Sequence, residues 1–174
     1  MLPKRLARTT IYESDWIDLH VDKVRFPNGH IVERHHLLDH KRPAVVVLAE
    51  NDQDQVLFVR VPRYTTGSVD WELPAGGMEA GETALETARR EMLEETGYRI
   101  RAEELVYTFY PNNGIANMIF HVVHCKTGEL AGDFDRNEIS AVRWFDKDEI
   151  REMIDKRTLA DGPSLIALFI KELK

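Results

Sequence analysis

A single long helical segment among short strand-like runs is the feature that most restricts the fold of this chain. The segment runs from about Thr83–Thr96, and Gly97 follows as a residue suited to the left-handed conformation that ends many helices. Runs typical of β-strands occur at Ala44–Leu48, Val56–Val59, Leu105–Phe109, Met118–Val123 and Ala141–Phe145. Asp146 and Glu149 have the spacing of a capping box, and Pro163 suits the first turn of a closing helix. This order predicts an α/β fold in which a mixed β-sheet lies between helices.

The first forty residues have a separate β pattern. Apolar and polar residues alternate from Ile17 to Val21, and the Asn28-Gly29 pair is typical of a tight turn between two strands. We therefore predict a β-hairpin or small three-stranded unit over residues 1–40, ahead of a main domain over residues 41–174. The basic residues between Lys4 and Arg8 indicate a short basic arm before the hairpin.

Composition excludes several classes of protein. A chain of 174 residues is long enough for one domain with a real core, and its net charge of −7 disfavours a nucleic-acid partner. The longest apolar run, Ala44–Ala49, is far shorter than the ~20 residues that cross a bilayer, so no membrane partner is expected. Cys125 is the single cysteine, which excludes an internal disulfide and favours a buried thiol in a cytoplasmic protein.

Three carboxylates are predicted to share one side of the long helix. At about 100° per residue, Glu95 lies about 40° around the helix from Glu91, and Glu94 lies about 60° to the other side. Like charges at this spacing destabilise a helix, and only Arg89 and Arg90 are near enough to offset them. A hard divalent cation, Mg²⁺ or Mn²⁺, would neutralise the cluster, and such ions commonly bridge phosphate oxygens. The alternative is a solvated acidic face.

A fixed spacing of glycines and charged residues surrounds this helix. Gly76 is followed by five residues and Glu82, and then by seven residues and the run from Arg90 to Tyr98. This pattern of 23 residues resembles the signature of the Nudix hydrolase family at every fixed position. The resemblance implies a Nudix fold and an enzyme that hydrolyses phosphoric anhydrides.

The resemblance also implies roles for individual residues. Glu91 and Glu95 are expected to bind a metal ion directly, and Glu94 directly or through water. The backbone carbonyl of Ala75 is expected to complete the metal site, with Mg²⁺ as the ion and Mn²⁺ as a substitute. Arg90 is expected to orient the carboxylates, which places it with Glu94 among the catalytic residues.

Residues ahead of the signature resemble the branch that contains ADP-ribose and nucleoside-diphosphate-sugar pyrophosphatases. The resemblance implies that Arg60, Arg63 and Glu72 bind substrate, since a guanidinium can hold a phosphate through two hydrogen bonds. Surface arginines at a strand end are the alternative. Asn113 stands where this branch usually has a proline, so a range of nucleotide sugars wider than ADP-ribose is expected.

A general base is expected in a late loop. Glu138 stands where the branch has a loop glutamate, and a mobile loop could bring it to an attacking water. Asp133 and Asp135 are weaker candidates, and a solvated loop acid is the alternative for Glu138.

Together these features predict a Mg²⁺-dependent pyrophosphatase that converts ADP-ribose or another nucleoside-diphosphate sugar to a nucleoside monophosphate and a sugar phosphate. One alternative is a nucleoside-triphosphate or other Nudix pyrophosphohydrolase. A second is a nucleotide-sensing module without catalysis, which the retained glutamates disfavour. The resemblance further implies a homodimer formed through residues 1–40.

Overall fold

The computed structural model describes residues 1–173, which form two compact units. The first unit contains Met1–Pro43 and Tyr110–Ile119, and the second contains Ala44–Phe109 and the chain from Phe120 onward. The first unit has the strands β1 (Lys4–Tyr12), β2 (Ile17–Arg25) and β3 (Ile31–His40). The second has β4 (Ala44–Glu50), β5 (Val56–Arg63), β6 (Ser68–Glu72), β7 (Ala75–Gly77), α1 (Ala84–Thr96), β8 (Tyr98–Phe109), β9 (Phe120–Leu130), β10 (Ala141–Phe145), α2 (Lys147–Asp155) and α3 (Gly162–Glu172).

The first unit is an antiparallel sheet in the order β1-β2-β3, which confirms the predicted small three-stranded unit. The turn between β2 and β3 is closed by a 2.8 Å hydrogen bond from the Phe26 N–H to the His30 carbonyl, around the predicted Asn28-Gly29 pair. The predicted basic arm is instead part of a strand, because Lys4–Arg8 lies in β1 and pairs with β2, although its residues are exposed. Backbone pairing with a neighbouring strand, which charge alone does not reveal, orders this segment.

In β2 the polar face is more deeply buried than the apolar face. The polar set Asp18, His20 and Asp22 is only 5–6% exposed, whereas Ile17, Leu19 and Val21 on the other face are half-buried. The pattern therefore identifies the strand correctly, but the more deeply buried face is the charged one.

The second unit is built on a mixed sheet in the order β10-β5-β4-β9-β8, with β6 paired to β5 and β7 paired to β4. Strands β4 and β9 are parallel, and the other neighbours are antiparallel. All seven residues of β4 are buried, as its β-branched run predicts for a strand covered on both faces.

Helices cover both faces of this sheet, which confirms the predicted mixed sheet between helices. On one face, Ala88 and Met92 of α1 pack with Val45, Val47 and other residues of the sheet. The other face carries a second apolar cluster that includes residues of α2 and α3.

The predicted helix ends are also confirmed. Thr83 caps α1 in a capping box with Glu86, and Gly97 ends the helix with a left-handed φ of 75°. Asp146 and Glu149 form the predicted capping box of α2.

Candidate active site

Helix α1 presents its carboxylates beside the glycine-rich strand β7. Ala88 and Met92 have no exposed surface and fix one face of the helix on the sheet. The adjacent side of the helix then lies along Ala75–Gly77, and this places Glu91 and Glu95 against the backbone of that strand.

Gly76 makes room for Glu91. A Cβ atom built on Gly76 would lie 1.9 Å from Oε1 of Glu91, so no other residue type fits without displacing that carboxylate. Glu91 is 8% exposed, and its burial raises its pKa above the usual range. The glycine of the signature is thus explained by close approach to a buried carboxylate.

Glu95 is a partly buried carboxylate that forms no ion pair with a Lys or Arg among residues 1–173. Its Oε2 accepts a 2.9 Å hydrogen bond from the Ala75 N–H. Burial, with the nearby negative charges of Glu91 and Glu138, raises its pKa to about 8 in spite of that bond and of the positive charge of Arg63. A bound cation would remove this penalty on the ionised form.

Arg90 is the hub of the hydrogen bonds around these acids. Its Nε and Nη2 donate to the two carboxylate oxygens of Glu82 at 2.9 and 3.0 Å. Its Nη1 donates to Glu91 at 2.7 Å and to Glu94 at 3.2 Å, and Nη2 also donates to the Gly77 carbonyl at 2.9 Å. Arg90 therefore contacts three carboxylates at once, and its role in orienting them for a metal ion stays a prediction.

Glu82 and Glu94 lie in contrasting surroundings. The bond from Arg90, supported by the Glu79 N–H and the Thr87 hydroxyl, lowers the pKa of Glu82 to about 2. The Glu94 side chain is 54% exposed, and Arg90 is its ion-pair partner. Glu94 is therefore accessible from solvent, whereas Glu82 is fixed in place.

The donor set fits a hard divalent cation. Within residues 1–173 no three His, Cys, Asp or Glu side chains already converge as a metal-binding group. Arg90 holds Glu91 and Glu94, and the Ala75 N–H holds Glu95. Carboxylate oxygens favour Mg²⁺ or Mn²⁺ over softer metals. The close approach of the Glu91 carboxylate to Gly76, together with the raised pKa of Glu95, matches a site that gains from a cation.

Of the three residues expected to bind substrate, two lie together and one lies apart. Arg63 donates to the Glu72 carboxylate from Nε at 3.0 Å and from Nη2 at 2.5 Å. The side chain of Arg63 is 46% exposed and that of Glu72 is 6% exposed, so the pair has a buried and an accessible end. Arg60 is three residues from Arg63 on β5 and therefore points to the opposite face of the strand.

The loop before β10 is attached at both ends. The Asp135 N–H donates to the Glu94 carbonyl at 2.8 Å, and both the N–H and the hydroxyl of Ser140 donate to the Arg60 carbonyl. Between these attachments Ile139 is buried and Glu138 is exposed. The charge of Glu138 contributes to the raised pKa of both Glu91 and Glu95, so it lies near them.

The other two acids of this loop have partners inside it. Asp133 forms an ion pair with Arg136 at 2.9 Å, and Asp135 accepts hydrogen bonds from the backbone and side chain of Asn137. No hydrogen bond or ion pair among residues 1–173 engages the Glu138 carboxylate. This difference favours Glu138 over the two aspartates as the base.

Sequence reasoning missed the contact between the start of α3 and the segment Leu73–Ala75. The Leu73 N–H donates to the hydroxyl of Ser164 at 2.8 Å, and that hydroxyl donates to Asp161 at 2.6 Å. A Ser at an early helix position, three residues after an N-cap Asp, was the available signal, but it does not reveal the distant partner.

A sizeable cavity of the second unit lies away from these acids. It has a volume of about 900 Å³ and is formed by α2, α3 and the end of the β4–β5 hairpin. None of the signature residues lines it. The site is therefore defined by the chemistry of its side chains and not by cavity size.

Comparison with known proteins assigns the chain to a family. The model of the NUDIX domain matches residues 40–167, which is more than half of the sequence. The chain belongs to the Nudix family. A second model, the nucleoside diphosphate sugar hydrolase N-terminal domain, matches residues 3–37 of this Nudix chain.

Relatives of this Nudix chain match over most of their length. An ADP-ribose pyrophosphatase of Bacillus subtilis (strain 168) is 31% identical over 98% of this chain and 93% of that protein. A CMP-5'-(N-acetyl-N-hydroxy-3-aminopropyl)phosphonate hydrolase of Streptomyces rubellomurinus is 28% identical over 89% of this chain and 75% of its own. The crystal structure of an ADP compounds hydrolase has the same fold, with a TM-score of 0.86, 18% identity and coverage of 99% of this chain and 93% of that one.

The chain is therefore a Nudix hydrolase, and hydrolases of this family generally use a divalent metal ion. In the part of the chain that the structure describes, no helix is both long and apolar enough to span a membrane.

Proposed function

We propose that this Nudix hydrolase is a Mg²⁺-dependent pyrophosphatase of ADP-ribose and other nucleoside-diphosphate sugars. The observation that carries the proposal is the pair formed by the buried Glu91 and the partly buried Glu95 beside Ala75–Gly77, which have too little positive charge to offset them. The similarity to an ADP-ribose pyrophosphatase and to the nucleoside diphosphate sugar hydrolase N-terminal domain supports this substrate class.

Glu91, Glu95, Glu94 and the carbonyl of Ala75 are the proposed ligands of the metal ion. When bound, Mg²⁺ would neutralise the diphosphate and lower the pKa of a bound water. Arg90 holds Glu91 and Glu94 by the hydrogen bonds described above, so that these carboxylates are oriented before the ion arrives.

The remaining residues act on the substrate and on the water. Arg63, fixed by Glu72, offers the accessible end of its guanidinium to the diphosphate. Arg60 lies on the opposite face of β5 from Arg63, which does not support a contact between Arg60 and the same diphosphate. Glu138 takes a proton from the attacking water as the oxygen of that water attacks one phosphorus atom. The phosphoric anhydride bond breaks, and the products are a nucleoside monophosphate and a sugar phosphate.

A substrate panel tests this proposal. Wild-type protein with Mg²⁺ is assayed with ADP-ribose, ADP-glucose, GDP-mannose, UDP-glucose and a nucleoside triphosphate, and each product is identified. We expect cleavage of ADP-ribose and of at least one hexose nucleotide with comparable kcat/KM, as the relative that acts on a CMP-linked phosphonate supports a tolerant site. A hundredfold preference for ADP-ribose would contradict the broad range, and a preference for the triphosphate would contradict the substrate class.

The two other functions have separate signatures in the same panel. A triphosphate or other Nudix pyrophosphohydrolase releases pyrophosphate or orthophosphate and leaves the sugar nucleotides intact. A nucleotide sensor binds ligands, measured by calorimetry, and turns over none of them.

We further propose a homodimer in the cytoplasm, formed through residues 1–40. All nine residues of β1 are exposed, and large apolar side chains project nearby, with Ile11 57%, Tyr12 58% and Trp16 78% exposed. Such surface is typical of a contact with another chain. Light scattering at micromolar concentration is expected to give twice the mass of the chain, and a monomer would contradict the dimer.

A further inference from the structure

The segment that joins β6 to β7 connects both halves of the proposed site. Its first residue, Glu72, fixes Arg63, and its last, Ala75, holds Glu95 through the backbone N–H. Between them, Leu73 and Pro74 belong to neither strand. Leu73 is 1% exposed, so its N–H needs a partner inside the protein.

Ser164 supplies that partner from a distant part of the chain. Its side-chain oxygen accepts the Leu73 N–H at 2.8 Å, across 91 residues of sequence. Ser164 has no exposed surface, so water does not compete for this bond. The segment is held at a second point as well, because the Pro74 carbonyl accepts a 2.8 Å hydrogen bond from the Val47 N–H.

The direction of the hydrogen bonds at Ser164 is fixed. A backbone N–H can only donate, and an ionised carboxylate can only accept. The hydroxyl proton therefore goes to Asp161, at 2.6 Å, and a lone pair of the oxygen faces Leu73. The Ser164 N–H donates to the same Asp161 oxygen at 2.8 Å, so both atoms of the hydroxyl group are held in one orientation.

Asp161 extends this connection to the substrate side of the site. It is the N-cap of α3, and its charge adds to that of Glu72 in raising the pKa of Arg63. At the start of α3, Ser164 thus forms a hydrogen bond with the segment Glu72–Ala75, and the charge of Asp161 acts on Arg63. Helix α3 covers the face of the sheet opposite α1, and Ser164 and Asp161 at its start link it to the proposed site.

We infer that Ser164 is a positioning residue, whose hydroxyl holds the segment Leu73–Ala75 so that the Ala75 N–H keeps Glu95 in place for the metal ion. The inference rests on the proposed function, because it assigns the effect to the proposed metal site. Loss of the hydroxyl leaves the buried Leu73 N–H without its acceptor. We expect the segment to shift so that this N–H finds another acceptor, and the shift would move Ala75 with it.

Ser164→Ala tests the inference, and Thr127→Val is the matched control. Thr127 also has a buried hydroxyl, which donates to the Glu50 carbonyl at 3.2 Å in another part of the same unit. Both variants lose one buried hydrogen bond, so both are expected to lower the Tm. Mn²⁺ affinity is measured by the electron paramagnetic resonance signal of the free ion, and amide exchange of Leu73 and Ala75 is measured in metal-free protein.

For Ser164→Ala we expect Mn²⁺ affinity to fall about tenfold, as for other groups that orient metal ligands. Exchange of both amides should accelerate, and kcat should fall with KM changed less than about twofold, since the effect is on the reacting centre. Thr127→Val should leave all of these quantities unchanged. An unchanged Mn²⁺ affinity and unchanged Ala75 exchange in Ser164→Ala would overturn the inference, as would an equal loss in Thr127→Val.

Failure of the proposed function would look different. Wild-type protein would then cleave no sugar nucleotide, and it would also bind no Mn²⁺ if the metal site itself were absent. The exchange of Ala75 in metal-free Ser164→Ala would still decide the structural part of the inference, because unchanged exchange contradicts it with or without a metal.

Discussion

Two clusters of buried or partly buried carboxylates in this protein have opposite charge balance. In the N-terminal sheet, the Arg8 guanidinium donates two 2.8 Å hydrogen bonds to Asp22, and the Lys41 ammonium bonds to Asp18. These cations lower the pKa of Asp22 and of Asp18. Around α1, burial raises the pKa of Glu91 and of Glu95 instead.

The difference follows from how many cations each cluster has. Each of the two aspartates has its own basic partner from a neighbouring segment. On α1, Arg90 serves Glu82, Glu91 and Glu94 together. Buried charge that side chains neutralise contributes to a fold, whereas buried charge that they leave unbalanced is available to a ligand. Four predictions test this contrast.

The largest effect is expected from Glu95→Gln, which keeps the shape of the side chain and removes its charge. Turnover should fall by at least about a thousandfold, since a metal ion supplies several kcal/mol of transition-state stabilisation. Circular dichroism should show an intact fold. Full activity of this variant, or full wild-type activity in excess EDTA, would break the contrast, because the unbalanced charge would then have no ligand.

Glu138→Gln is expected to have the next largest effect. Loss of a general base should lower kcat about a hundredfold with little change in KM. Asp133→Asn is the control, since Asp133 is paired with Arg136 and should retain activity. A fall of less than about tenfold in Glu138→Gln would transfer the role of base to a carboxylate of the signature.

In the N-terminal cluster, Arg8→Met should affect stability and not metal binding. It leaves the buried Asp22 without its cation and should lower the Tm by about 5 °C at neutral pH. The loss should shrink as pH falls, because the lowered pKa of Asp22 stabilises the fold only where the carboxyl is ionised. A parallel loss of Mn²⁺ affinity would mean that the two clusters are not independent.

The smallest effect concerns the pH dependence of metal-free protein. Because the pKa of Glu95 is raised to about 8, its contribution to stability is present at low pH and lost as pH rises through that value. In EDTA, the Tm of Glu95→Gln minus that of wild type should therefore increase by a few degrees between about pH 5 and pH 9. A constant difference would show that Glu95 is not held in its protonated form.

Much of the fold could be predicted from local sequence. The end of α1 at Gly97 and the capping box of α2 depend on residues a few positions apart, and the structure confirms them. The runs that form β4 and β10 were also predicted with little error in their bounds. Strand β1 was missed because its nine residues are all exposed. A strand with no buried face does not need the alternation of apolar and polar residues from which strands are predicted.

The placement of three carboxylates on one helix could be predicted from local sequence for the same reason. Glu91, Glu94 and Glu95 share a side of one helix, which fixed helical geometry makes readable from spacing. The contact between Arg63 and Glu72 depends on the pairing of β5 with β6, which spacing along the sequence does not show. Arg60 and Arg63 lie on opposite faces because side chains alternate along β5, and this became clear only once β5 was seen to extend to Arg63.

By itself, the sequence determined the helix that carries the acids, its caps and the glycines that let a backbone approach them, because these depend on residues close along the chain. Only the tertiary structure decided which charges are balanced. Arg8 meets Asp22, and Ser164 meets Leu73, across 14 and 91 residues respectively. Burial and electrostatic interaction depend on distance in space, and a pattern along the sequence cannot supply that distance.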